Sequence, residues 1–108
     1  MRPNVTTIQP NNILDGVTGA VFRQEVAAAV EAGADIVLVD CQDISFMDSS
    51  GLGALVLALK FMRAAERQLV LCSLNQQVKT LFQLTEIAQV FQIYDNRQHF
   101  EQSGLLGS

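Results

Sequence analysis

Residues 46 to 53 read Phe-Met-Asp-Ser-Ser-Gly-Leu-Gly, an acid, two hydroxyls and two glycines in one run between apolar stretches. Three chemistries could use such a run: nucleophilic attack by a serine, acceptance of a phosphoryl group by a serine, and capping of a helix. The first lacks its partners. Ser49 follows Asp48 and precedes Ser50, so this is not the Gly-x-Ser-x-Gly elbow that presents a nucleophile. The single histidine, His99, stands near the chain end and gives poor support for a triad. No Gly-Lys-Ser/Thr follows, so the run is not a P-loop. Asp40, Asp43 and Asp48 cluster in sequence without forming a clear carboxylate pair. The expectation is a protein that is not an enzyme.

Capping explains more. Asp48, Ser49 and Ser50 are residue types whose side-chain oxygens satisfy the orphan N–H groups of a first helical turn. Gly51 and Gly53 permit a tight turn and leave a small, accessible surface. A cap needs one of these residues, or two. It does not need Ser-Ser-Gly-x-Gly, but on residue chemistry alone the capped turn stays the simpler reading. Acceptance of phosphate is the sharper one. A helix amino end offers free N–H groups and partial positive charge. A phosphate on Ser49 would be tolerated there and would add a charge of about −1.5 to −2 beside Asp48. A partner docking apolar or acidic surface at that point would meet repulsion and a desolvation cost.

The surrounding elements must hold this run in place. Ile36 to Val39 and Leu69 to Cys72 are continuous apolar runs, as buried central strands are. The stretch between them is long enough for a right-handed helical crossover, and it contains the motif. After Gly51, residues Leu52, Leu55, Val56, Leu59 and Met62 mark the apolar side of a helix, with Lys60, Arg63 and Arg67 nearer its wet side. Val5 to Ile8 predicts an outer strand that ends or turns at Pro10 to Asn12. Phe22, Val26, Ala29 and Val30 predict an earlier helix that stops at Gly33, with Asp15 or Thr18 as its cap. Asn75 could cap a helix carrying Val78, Leu81 and Phe82. Val90 to Tyr94 reads as a last strand, and Asn96 opens a short helix with Phe100. Residues 1–4 and 104–108 are expected to be loose termini of a single domain spanning 1–108.

Composition narrows the function. The chain has 108 residues, 49% of them hydrophobic, enough for one domain with a real core and against disorder. Its net charge is −4, and its seven basic residues are scattered along the sequence. No basic stripe for a phosphate backbone is present, so direct nucleic-acid binding is not expected. Cys41 and Cys72 lie in apolar runs and read as small buried hydrophobes; two thiols do not make a zinc site. A disulfide between them has no support, and no cofactor or metal is expected. No apolar segment approaches the roughly 20 residues of a membrane span. A cytoplasmic protein is the expectation.

Asp43 to Gly53, read as a whole, resembles the signature of STAS domains, and most closely that of the bacterial anti-sigma factor antagonists. Ile13-Leu14-Asp15 resembles the Gly-x-Leu-Asp element before the family's first helix, and Ile36 to Asp40 the strand feeding the motif. Asn75 to Thr85 resembles the later helix with its Leu-Thr-Gly end. The likeness runs from about Val5 to Phe100. Asn12 and Glu86 stand where the family commonly has glycine, and too few residues precede Ile13 for a full opening hairpin, so the family's first strand is expected to be missing.

The resemblance implies an α/β fold, a mixed and largely parallel sheet of about four strands with helices mainly on one side. It implies partner switching: the unphosphorylated protein binds an anti-sigma factor that is also a serine kinase and thereby frees a sigma factor. The kinase then phosphorylates the serine after the aspartate, here Ser49, and a PP2C-type phosphatase resets it. Asp48, Ser50, Gly51, Leu52 and Gly53 would form the docking surface, with Lys60 further along the helix; ATP would belong to the kinase. The alternatives are a scaffold STAS domain without a phosphorylation cycle, a cytosolic regulatory subunit of a stress-signalling or transporter complex, and a small nucleotide-binding module.

Overall fold

The two continuous apolar runs become adjacent central strands. The computed structural model describes residues 2–104. In chain order it contains β1 (Val5–Ile8), β2 (Asn12–Leu14), α1 (Gly16–Glu31), β3 (Ile36–Asp40), β4 (Ile44–Met47), α2 (Ser49–Ala64), β5 (Gln68–Cys72), α3 (Gln76–Leu84), a 3-10 turn (Ala88–Val90), β6 (Gln92–Tyr94) and α4 (Arg97–Glu101). Four strands form one sheet in the order β1-β3-β5-β6, and each pairing is parallel. β1 is an edge, with no opening hairpin among the described residues. β2 and β4 pair in parallel as a separate two-stranded sheet.

Burial explains the layers. Val37, Val39, Leu69 and Leu71 point to the side covered by α1, α2 and α3, where Phe22, Val26, Leu55, Met62, Val78 and Phe82 close the main core. Ile36, Leu38, Val70 and Cys72 point to the other side, where Phe100 of α4 packs on them beside Val5 and Tyr94. Each fully buried phenylalanine contributes roughly 1.5–3 kcal/mol over leaving it exposed. Cys41 belongs to the first cluster and Cys72 to the second, so the thiols sit on opposite faces and are free. Burial pushes both thiols above their ordinary pKa.

Local chemistry sets the element ends. Both candidate caps of α1 act together. Asp15 accepts from the N–H groups of Val17 and Thr18, while the Thr18 hydroxyl accepts from the Asp15 N–H at 2.9 Å. The Thr18 N–H and its companions hold the Asp15 carboxyl below its ordinary 3.8. Just past the C-cap Thr85 of α3, Glu86 has φ 57, so this non-glycine residue takes the left-handed conformation that glycine most often supplies after a helix. The Ile87 N–H then reaches the Phe82 carbonyl at 3.1 Å, and the last turn keeps its shape.

Two expectations are corrected. Val90 is not in the last strand: its N–H closes the 3-10 turn on Ile87, and only residues 92–94 reach register with β5. Asn4 is not loose, because its carbonyl accepts from Asp35 and Ile36 and its N–H donates to the Asp35 carboxylate. Residues 105–108 of the expected C-terminal tail lie outside the described residues.

Candidate functional site

β4 delivers the motif, and two elements fix β4, β2 and α3. On one edge it pairs with β2, Ile13 opposite Phe46 and Leu14 opposite Met47. On its other edge the carboxamides of α3 replace a strand. Gln77 accepts from the Met47 N–H at 2.9 Å and donates to the Met47 carbonyl at 2.7 Å. Asn75 caps α3 by accepting from Val78 and donates to the Ile44 carbonyl. Met47 is completely buried and anchors the strand end.

The chain then turns into α2. Asp48 is the N-cap, and its carboxylate accepts from the Gly51 N–H at 2.8 Å. Its own N–H donates to the Leu14 carbonyl at 3.3 Å. The acid therefore holds the helix start in place rather than reaching into solvent. Ser49 is the first helical residue and Ser50 the second, and both are exposed. The Ser49 hydroxyl makes no hydrogen bond among the described residues, so it stands at the helix amino end with its oxygen open to solvent.

The glycines have different jobs. A Cβ on Gly51 would lie 2.1 Å from the Leu14 carbonyl oxygen, so only glycine lets α2 seat against β2. A Cβ on Gly53 would meet nothing within 4 Å. Gly53 is one helical turn from Ser49 on the same face and leaves that face bare.

The expected docking residues thus divide. Asp48, Ser49, Ser50 and Gly53 come together at the surface. Gly51 is buried, and Leu52, 5% exposed, belongs to the core. Both point inward because the helix must pack there, so they support the surface rather than form it. Lys60 is exposed on the Ser49 side of α2, about 16 Å further along the axis.

Sequence reasoning missed two parts of the site. Ile13 and Phe46, cross-strand partners in the small sheet, are 48% and 46% exposed. They put an apolar pair on the surface just ahead of Asp48. An amphipathic pattern would have flagged them, but β2 and β4 have only three and four residues. The clamp by Gln77 was also unseen; the Asn75-Gln76-Gln77 amide run was its only trace. His99 lies on α4, where its Nδ1 accepts from the Asp95 N–H.

The comparisons with known proteins agree on the family. The model of the STAS domain matches residues 1–100, and the chain belongs to the STAS domain family. It is similar to the anti-sigma-B factor antagonist of Bacillus subtilis (strain 168), with 30% identity over 95 residues and 86% of each chain covered. Its fold is that of the anti-sigma factor antagonist SpoIIAA in its unphosphorylated form, with a TM-score of 0.74 at 20% identity over 93% of this chain and 88% of that one. The Bacillus cell fate determinant SpoIIAA in the phosphorylated form gives a TM-score of 0.69 at 17% identity over 93% and 91%. No helix among the described residues is long and apolar enough to cross a membrane.

Proposed function

We propose that this chain is a cytoplasmic anti-sigma factor antagonist that works by partner switching, with Ser49 as the switch. In the unphosphorylated form the surface around Ser49 binds an anti-sigma factor with serine kinase activity, and the sigma factor is released. The kinase phosphorylates Ser49, binding is lost, and a PP2C-type phosphatase restores the first state. The observation that carries this reading is the exposed Ser49 hydroxyl at the amino end of α2, beside the apolar pair Ile13 and Phe46.

The physics supports a switch that leaves the fold intact. The helix dipole favours an anion at its amino end, so a phosphate there does not unfold α2. The Asp48 carboxylate remains on the Gly51 N–H as cap. The new charge acts outward instead. A partner that covers Ile13 and Phe46 must desolvate the phosphate or leave, which is how phosphorylation dissolves an apolar interface. The relatives named as anti-sigma factor antagonists supply the class of partner.

The test is peptide mapping of the protein isolated from its native host with and without stress. A phosphopeptide containing Ser49 and sensitive to phosphatase supports the cycle. A stable complex with no phosphate at Ser49 under any condition refutes it in favour of a scaffold role.

A further inference from the structure

The two edges of β4 have different tasks. On one edge β2 aligns Ile13 with Phe46, the exposed apolar pair ahead of Asp48. The other edge has no strand partner among the described residues, because the small sheet holds only β2 and β4. There Asn75 donates to the Ile44 carbonyl, and Gln77 takes both peptide groups of Met47. Met47 stands two positions before Ser49. What fixes its peptide groups therefore fixes where α2 and its first residue begin.

Distances show which tie governs that junction. The tie to β2 is the Asp48 N–H on the Leu14 carbonyl at 3.3 Å, at the long end for a hydrogen bond. Gln77 makes two shorter bonds, accepting from the Met47 N–H at 2.9 Å and donating to the Met47 carbonyl at 2.7 Å. A carboxamide can do this because it accepts and donates in one planar group; a glutamate carboxylate only accepts and a lysine only donates. The support behind Gln77 is rigid. It is the second residue of α3, whose start Asn75 caps on the Val78 N–H, and Val78 and Phe82 seat that helix in the main core.

We propose that Gln77 is a positioning residue for phosphorylation of Ser49: through the Met47 backbone it sets the place of the Ser49 hydroxyl, while the β2 edge supplies docking. The proposal rests on Ser49 being the phosphoryl acceptor. In that step the Ser49 oxygen bonds the γ-phosphorus of ATP on the kinase, and the bond from that phosphorus to the β–γ bridging oxygen breaks. ADP leaves, and the hydroxyl proton passes to a base of the kinase. Gln77 acts only through Met47. In-line attack tolerates little misplacement, and an error of about 1 Å can cost about 100-fold in rate. Loss of the clamp should therefore slow transfer and spare docking, since Ile13 and Phe46 stay paired on the opposite edge.

The test is single-turnover phosphorylation of the full chain by the host's kinase-type anti-sigma factor with ATP. It reads the rate at saturation and the half-saturating concentration separately, with urea unfolding of each variant alongside. Gln77→Met keeps the length of the side chain and removes both hydrogen bonds. Its saturating rate should fall by about tenfold or more, with half-saturation within about twofold of wild type. Gln77→Glu keeps the acceptor and loses the donor; it should show the same split, and it carries the test if Gln77→Met fails to fold. Phe46→Ala should do the reverse, raising the half-saturating concentration at an unchanged saturating rate. Arg97→Ala loses the tie of α4 to Asp40, a destabilisation away from β4, and should leave both quantities unchanged. An unchanged saturating rate in the Gln77 variants, an effect on half-saturation alone, or an equal fall in Arg97→Ala would overturn the proposal. No phosphate on Ser49 of the wild type would refute the switch itself, and the proposal with it.

Discussion

Alanine at Gly51 and at Gly53, two residues apart in one helix, should move stability in opposite directions. Replacing helical glycine by alanine gains about 1 kcal/mol from backbone entropy when space is free. At Gly53 it is free, so Gly53→Ala should stabilise by about 0.5–1 kcal/mol. At Gly51 the new Cβ falls 2.1 Å from the Leu14 oxygen and 2.7 Å from its carbonyl carbon, about 1 Å or more inside ordinary contact. The obstacle is backbone, so α2 must lift off β2. That strains the packing by about 1–3 kcal/mol. It also stretches the Asp48 N–H to Leu14 bond, already 3.3 Å, whose loss costs about 1 kcal/mol. The net for Gly51→Ala is a loss of about 1–3 kcal/mol after the helix gain is subtracted. In urea unfolding, with a slope of about 1–3 kcal/mol per molar, its midpoint should fall by about 1 M while that of Gly53→Ala rises. The Gly53 methyl would also cover the face shared with Ser49, so the more stable variant should bind its partner less well. A Gly51→Ala protein as stable as wild type would refute the division of labour between the glycines.

Three other outcomes follow from named contacts. Because hydrogen bonds from Thr18 and Val17 hold the Asp15 carboxyl below its ordinary 3.8, its contribution is complete above that value and disappears as pH falls through the folded value. Asp15→Asn should therefore flatten the acid limb of the stability curve below about pH 4, measured by thermal melts across pH. Glu86→Gly should stabilise by about 0.5–1 kcal/mol, since glycine reaches φ 57 without the side-chain penalty; an unchanged denaturation midpoint would contradict this. Arg97 pairs with the buried Asp40 at 2.5 Å and also bonds Gln9, tying α4 to the sheet. Arg97→Ala should cost about 1–3 kcal/mol and expose Cys72, under Phe100, to thiol reagents before Cys41; equal labelling rates would count against α4 as the cover of that face.

Long, uniformly patterned segments were legible in the sequence. β3 and β5 are continuous apolar runs because both faces of the sheet are covered, and α1 and α2 show their buried stripes at helical spacing. The exposed serine at the start of α2 was legible because a hydroxyl beside an N-cap acid and glycines is compact local chemistry. The small sheet was not. β2 begins at Asn12, which ends the run Pro10-Asn11-Asn12 that reads as a turn, and its partners in β4 lie 32 or 33 positions further along the chain. The clamp by Gln77 and the exposure of Phe46 depend on that pairing, so they were hidden with it. Leu52 reads as part of the motif in sequence but as core in three dimensions, because at about 100° per residue the helix carries Gly51 and Leu52 round to the face that packs inward, away from Ser49.

The most direct measurement is the affinity of the host's kinase-type anti-sigma factor for this protein carrying serine and phosphoserine at position 49, with Ser49→Ala as control. Tight binding of the serine and alanine forms, and binding weakened by at least about tenfold in the phosphoserine form, is the result the switch predicts. Equal affinities for all three, with the fold intact by circular dichroism, would contradict it.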